Sequence, residues 1–324
     1  MATDASQSRQ ELLDINDGNK ASINAIQDAA FVVCLDDAHP EGSAERCYRF
    51  LYADGSNRWY DKTLQLIVCS NGISASLMEH SALDGISVEP LHRYIHQAIC
   101  TYDPQVYAGV KTADAFRNYV EYLPLLINKP IEEELQRFRN QFKGTTTKFT
   151  FASLEVSSLS VDVLRSHKCP IQSGIQLAIQ LACRRFFGHS PPAHETVSMA
   201  HFRKGRVEVH HIINAAVITF LNSAVDSKVP PNEVRKRFFD AAKAHTKSLT
   251  KAGKGRAFGR HMLAMEWMLR EGETTPDLFL DPSYAKLRPG KVMTSNFTSG
   301  WLEGGFAYPV PESILVYFEF RDER

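Results

Sequence analysis

The sequence has no surplus of either charge: 37 lysines and arginines stand against 37 aspartates and glutamates. A nucleic-acid binder draws most of its affinity from phosphate neutralisation and carries a basic excess. No nucleic-acid partner is therefore expected. Long hydrophobic runs are also missing, and a membrane-spanning helix needs about 20 consecutive apolar residues. The start, Met1 to Arg9, is polar with no apolar stretch behind it. Neither a membrane span nor a signal peptide is expected. The six cysteines, Cys34, Cys47, Cys69, Cys100, Cys169 and Cys183, show no CxxC spacing. Free thiols follow, and with them a reducing, intracellular and most simply cytoplasmic compartment, an organelle being compatible. Internal repeats and low-complexity tracts are absent. His92 and His96 are four residues apart but lie outside any HExxH string, so no metal is expected.

What is present is the composition of a folded globular chain, with 44% hydrophobic and 23% charged residues. Its length suits one large domain or two ordinary ones. Residues 1–20 read as a polar, frayed lead-in, Ala21–Ala30 as a short helix, Ala30–Leu35 as a strand and Asp36–Glu45 as a turn-rich loop. Thr63–Cys69 is strand-like, Ser70-Asn71-Gly72 is a tight turn and Ile73–Met78 is the return strand. Helices are predicted at Ser87–Cys100, Thr112–Tyr122, Ile131–Phe142, Gly174–Phe187, Asn232–Leu249 and Arg260–Arg270, and strands at Arg206–His210, Val292–Asn296 and Ile314–Phe320. The mixture is α/β or α+β.

The string Glu79-His80-Ser81-Ala82-Leu83-Asp84-Gly85 follows the predicted return strand. A histidine with a carboxylate four residues later suits general-base chemistry, because the acid can fold back and fix the imidazole or its loop. An HxxxD string alone is common in purely structural settings, so its context has to carry the reading. Arg58 and Ser295, taken singly, are an ordinary surface cation and an ordinary strand hydroxyl. His210-His211, if in a strand, points to opposite faces and reads as structural. Cys69 has no neighbour that would lower its pKa and reads as core.

Asn57-Arg58-Trp59-Tyr60-Asp61-Lys62-Thr63-Leu64-Gln65, followed by Ile67-Val68, Asn71-Gly72 and Glu79-His80-Ser81, resembles the active-site signature of choline/carnitine O-acyltransferases. Ile175-Gln176-Leu177-Ala178-Ile179-Gln180-Leu181-Ala182 resembles that family's IQLALQLA helix. Glu195-Thr196 with Gly205-Arg206-Val207-Glu208 resembles its YETASTR…GRTE segment, and Arg260-His261-Met262-Leu263 its DRHL element. Asp281-Pro282-Ser283-Tyr284 and Met293-Thr294-Ser295-Asn296 are similar to DPAY and STSN. The similarity runs in the family's order from about Asn19 to Tyr317.

The resemblance implies a coenzyme A-dependent acyltransferase-like fold with mixed sheets flanked by helices. It also implies acyl transfer within a ternary complex, with His80 as general base, Ser295 and Thr294 stabilising the oxyanion, and Arg58 pairing Asp84 to hold the base in register. No tightly bound cofactor is implied; acyl-coenzyme A or an acyl-phosphopantetheine is the co-substrate.

Departures from the family pattern refine this. Val161 and Arg165 stand where coenzyme A users carry two phosphate-binding lysines, and Pro170-Ile171-Gln172 stands over SPD. Arg165 and Lys168 are the remaining candidates for an anion, which favours a donor on an acyl carrier protein. His194 replaces the tyrosine before Glu-Thr, and Val207 the threonine of GRTE, so two hydroxyls that help hold carnitine's carboxylate are gone. Arg260 retains one positive partner. The implied acceptor is a small neutral hydroxyl compound such as a polyol, as in acyltransferase modules that release fungal polyketides. The resemblance covers only the C-terminal half of the family's two-lobed enzymes, giving a partial histidine-bearing lobe at 1–142 and an opposing lobe at 143–324. A second chain supplying the missing half, or self-association, is expected. The competing reading is a truncated, noncatalytic remnant or binding module.

Overall fold

A computed structural model describes residues 2–81, 83–103, 105, 120–287, 290–296 and 313–318. The chain forms two compact units, Met1–Leu154 and Glu155–Arg324. The first contains α1 (Ala2–Asp14), α2 (Asp17–Asp28), β1 (Val32–Asp36), α3 (Ser43–Leu51), β2 (Leu64–Cys69), β3 (Ser74–Met78), α4 (Gly85–Cys100) and α5 (Lys129–Thr146). Its sheet has the order β1-β2-β3. β1 runs parallel to β2, and β2 antiparallel to β3. The tight turn between β2 and β3 depends on Gly72, whose φ of 81° is a conformation that other residues rarely adopt. That turn fixes the return strand, which ends at Met78 and carries His80 just past its end.

The frayed lead-in is instead helical from Ala2 to Asp14. Gln7 donates to Glu11 and Gln10 to Asp14 along one face, and Arg9 donates to Gln27 of α2. The expected loop at 36–45 holds over 37–42 and ends at Ser43, where α3 begins; its Tyr48, with Tyr52 just beyond its end, joins an aromatic cluster with Phe142, Phe149 and Phe151. That cluster also bears on the lobe boundary expected at 142/143. The position falls inside α5, and Phe149 and Phe151 pack back onto the tyrosines, so the first unit continues to Leu154. Of the helix expected at Thr112–Tyr122, residues 112–119 lie outside the described residues. Residues 120–128 are non-helical, and α2 clasps them: the side-chain amide of Asn19 donates to the Leu126 carbonyl at 2.8 Å, and Ser22 to that of Pro124 at 2.7 Å.

Along β1, Cys34 turns inward, while Val33 and Leu35 are 52% and 74% exposed. Among the described residues no strand pairs with its outer edge. An unpaired edge with apolar side chains invites another strand. The isolated chain should self-associate, and Leu35→Lys should shift it toward the monomer. Sedimentation velocity over a concentration series checks this; a monomer at every concentration in the unmodified chain contradicts it.

The second unit contains a 3-10 turn at Ser157–Leu159, α6 (Val161–Ser166), α7 (Ile171–Phe187), β4 (Ala193–Ser198), β5 (Val207–His211), α8 (Ala215–Val225), α9 (Pro231–Gly253), α10 (Gly259–Trp267), α11 (Asp277–Leu280), α12 (Pro282–Leu287), β6 (Val292–Asn296) and β7 (Ile314–Phe318). The sheet order is β5-β4-β6-β7, antiparallel between β4 and β5 and parallel elsewhere. α7, α8 and α9 share a core of Leu177, Val217, Phe220 and Leu221 against Ala241 and Ala242, the small alanines letting α9 approach closely. Ala193, Ile212 and Val292 of the sheet region pack with Cys183 of α7. The described cysteines are all free.

Candidate active site

In the first unit, backbone geometry presents the histidine. His80 Nδ1 lies 2.7 Å from the Leu83 carbonyl oxygen. A carbonyl can only accept, so Nδ1 carries the proton, and in the neutral ring the basic lone pair resides on Nε2. Asp84, at the N-cap position of α4, places Oδ1 3.4 Å from Nδ1. The imidazole is 57% exposed, whereas the carboxylate is 6% exposed. The arrangement is an imidazole with a fixed tautomer and a buried carboxyl group behind it.

Arg58 does not pair with Asp84. Its two terminal nitrogens bind Asp36 in a bidentate fork, Nη1 to Oδ1 at 3.0 Å and Nη2 to Oδ2 at 2.8 Å. The remaining donors go to the carbonyls of Asn57, Arg49 and Phe50. A guanidinium has five N–H donors, and all of them are used. The parallel pairing of β1 with β2 leaves Asp36 at the strand end, where the signature segment passes. Hydrogen bonds from Arg58 hold the Asp36 carboxyl below its ordinary range, against the opposing effect of burial. The signature's neighbours are structural too: Gln65 accepts the Trp59 amide, and Lys62 donates to the carbonyls of Gln27 and Ala29 at the end of α2. Cys69 is buried and burial pushes its thiol up, as befits core. His92 contacts Ser76, and His96 contacts Cys100.

In the second unit, Thr294 and Ser295 lie side by side on β6 and point to opposite faces. Thr294 is buried; its hydroxyl accepts from Gln176 at 2.8 Å and donates to the His194 carbonyl at 3.3 Å. Its hydrogen bonds are spent inside the fold. Ser295 is half-buried, with its Oγ 3.3 Å from Thr196 Oγ1. Glu195, visible in the sequence only as part of a motif, centres a buried network. Its Oε1 is 2.8 Å from both His210 Nδ1 and His245 Nε2, and its Oε2 accepts from Gln172 at 2.7 Å and Gln176 at 2.8 Å. Burial raises the Glu195 pKa, but the two histidines and Gln172 outweigh it and bring it down to about 2. This Glu-His-His group has metal-type donors, yet four N–H-bearing side chains already surround the carboxylate. His211, its neighbour, faces the other way and stacks on Phe258.

His194 packs so tightly on Gly290 that a Cβ there would lie 2.1 Å from its Nδ1. Burial, with His211 and Arg260 adding to it, lowers the His194 pKa to about 4. Val207 begins β5 opposite Ser198, and Arg260 is exposed at the start of α10, its amide bonded to Glu208. On α6, Val161 is half-buried and Arg165 faces Asp162 at 3.6 Å; Lys168 is exposed just beyond the helix end.

His194 sets a pH dependence. The folded chain keeps it neutral down to about pH 4, whereas the unfolded chain protonates near about 6.5. Between those values the unfolded state binds more protons, so stability falls as pH falls. Denaturant midpoints should drop between pH 6.5 and 4, and His194→Gln should flatten that slope. An unchanged slope in the variant contradicts the assignment.

The Choline/Carnitine o-acyltransferase family matches residues 2–324. A highly reducing polyketide synthase, ltbA, of Aspergillus luteorubrus is 31% identical over 97% of this chain and 10% of its own length. The mitochondrial carnitine O-palmitoyltransferase 2 of Xenopus tropicalis is 28% identical over 97% of this chain and 48% of its own. The chain thus spans about half of the carnitine relative and a tenth of the synthase. A solved structure titled "Molecular basis for condensation domain-mediated chain release from the enacyloxin polyketide synthase" aligns at a TM-score of 0.36 and 12% identity, over 90% of this chain and 60% of that one. The two mixed sheets with flanking helices agree with a coenzyme A-dependent acyltransferase-like fold. The chain belongs to the choline/carnitine O-acyltransferase family.

Proposed function

We propose that this chain transfers an acyl group between a thioester and a small hydroxyl acceptor, with His80 as general base. The observation that carries the reading is the 2.7 Å contact between His80 Nδ1 and the Leu83 carbonyl, which assigns the basic lone pair to Nε2. Nε2 takes the acceptor's hydroxyl proton as the oxygen attacks the thioester carbonyl carbon. The tetrahedral intermediate collapses by breaking the C–S bond, and Nε2 returns the proton to the departing sulfur. Asp84, 3.4 Å from Nδ1, offsets the transient imidazolium charge. Ser295 donates to the oxyanion, while Thr294, its hydroxyl committed to Gln176 and His194, supports the strand.

The donor in this proposal is an acyl-phosphopantetheine on a carrier protein. Val161 offers no charge to a nucleotide phosphate, and Arg165 already faces Asp162, leaving Lys168 as the nearby cation. The similarity to polyketide synthases favours the same source. The acceptor is neutral: His194, held uncharged, and apolar Val207 give little to a carboxylate, and Arg260 is exposed. Incubating the full chain with octanoyl-pantetheine or octanoyl-coenzyme A and a pool of polyols plus carnitine, with mass-spectrometric detection of esters, tests both halves. Polyol esters should form, with the two donors giving kcat/KM values within about threefold. No ester from either donor supports the noncatalytic reading; a preference of 100-fold or more for the nucleotide-bearing donor overturns the carrier-protein assignment.

A further inference from the structure

Ser295 sits where backbone support on one side runs out. β6 pairs with β7 over all of Val292–Asn296, but with β4 only over Val292–Thr294, the last rung being Glu195 opposite Thr294. Past that rung, side chains from α7 replace the ladder. Asn296 Nδ2 donates to Gln172 Oε1 at 2.7 Å, and Gln176 Nε2 donates to Thr294 Oγ1 at 2.8 Å. The residues on both sides of Ser295 are thereby tied to one helix face, since Gln172 and Gln176 are four residues apart.

The orientation of both glutamine amides is dictated rather than free. An ionised carboxylate only accepts, so each amide must turn Nε2 toward Glu195 Oε2, at 2.7 and 2.8 Å. That leaves Gln172 Oε1 to meet the Asn296 amide and the second N–H of Gln176 to meet Thr294. Glu195 is itself fixed from the opposite side by His210, on the neighbouring strand, and His245 of α9. One buried charge therefore sets the polarity of two clasps that flank one serine.

We propose that Gln172 and Gln176, oriented by Glu195, are positioning residues for Ser295; the catalytic half of this inference rests on the oxyanion role given to Ser295 above. Displacing an oxyanion donor by a fraction of an ångström weakens the transition state more than substrate binding.

Gln172→Met and Gln176→Met remove one clasp each at nearly constant volume, and Gln172 is only half-buried, so at least that variant should fold. Hydrogen exchange followed by mass spectrometry on the full chain should show the 292–296 segment exchanging about tenfold faster or more in each variant, with α8 and α9 unchanged. In the acyl-transfer assay kcat should fall about 10- to 100-fold with the donor KM within twofold. Unchanged exchange at 292–296 in both variants overturns the clasp. Faster exchange with normal kcat, where Ser295→Ala does lower kcat, overturns the positioning role. Faster exchange where Ser295→Ala also leaves kcat normal supports the clasp and removes the Ser295 reading instead.

Discussion

Replacing His80 with alanine should lower kcat for the proposed acyl transfer by about 10²–10⁴-fold, the usual contribution of a positioned general base. The fold should be almost indifferent. The imidazole is 57% exposed, so its hydrogen bond to the Leu83 carbonyl and its contact with Asp84 are made at a wet site. Their loss there costs about 1 kcal/mol or less. Kinetics and denaturation should therefore separate in this variant: turnover should collapse while the midpoint barely moves. Asp84→Asn should give a smaller loss, because an amide at that buried position keeps the shape behind the ring but would no longer offset the imidazolium charge. Retention of turnover within threefold in His80→Ala would place the base elsewhere in the chain.

The parts of this arrangement legible in the sequence are those decided locally. A short apolar run at Leu64–Cys69, a Ser-Asn-Gly turn and a return strand need only neighbouring residues, and they put His80 at a strand end before any tertiary contact is known. The spacing of His80 and Asp84 is likewise local, four residues at a helix entrance. Partners set by register were invisible. Arg58 finds Asp36, 22 residues earlier, because β1 runs parallel to β2, and the resemblance had pointed to Asp84. Glu195 meets His210 because their strands pair there; His210 is structural, as read, but its partner was not legible. Of two adjacent hydroxyls at 294 and 295, one must face inward, and the sequence does not say which; the α7 glutamines take Thr294. Helix α1 differs, since part of its support is local, from Gln7 to Glu11 and from Gln10 to Asp14, and part is the long-range contact between Arg9 and Gln27.

The second large effect is expected at the ion pair that the sequence misassigned. Arg58 and Asp36 have side-chain exposures of 0% and 8%, and the guanidinium also serves the carbonyls of Arg49 and Phe50 in the last turn of α3, where a cation complements the helix dipole. Removing the arginine alone strands the Asp36 carboxylate and two helix-end carbonyls, and breaking one partner of a buried pair typically costs about 3–5 kcal/mol. Arg58→Met should destabilise the chain by about that amount in urea titrations. The double substitution Arg58→Met, Asp36→Leu should cost clearly less than the two single losses added together, since no isolated charge remains. Because its hydrogen bonds to Arg58 keep Asp36 ionised below its ordinary range, the pair's contribution is present above the unfolded carboxyl value, near about pH 4, and fades as pH falls through the lower folded value. Stability measured from pH 5 down to 3 should thus fall more steeply in the unmodified chain than in the double variant. Additive single losses would mean that the two side chains are not coupled, and a loss below about 1 kcal/mol for Arg58→Met would mean that the fork contributes little to the fold.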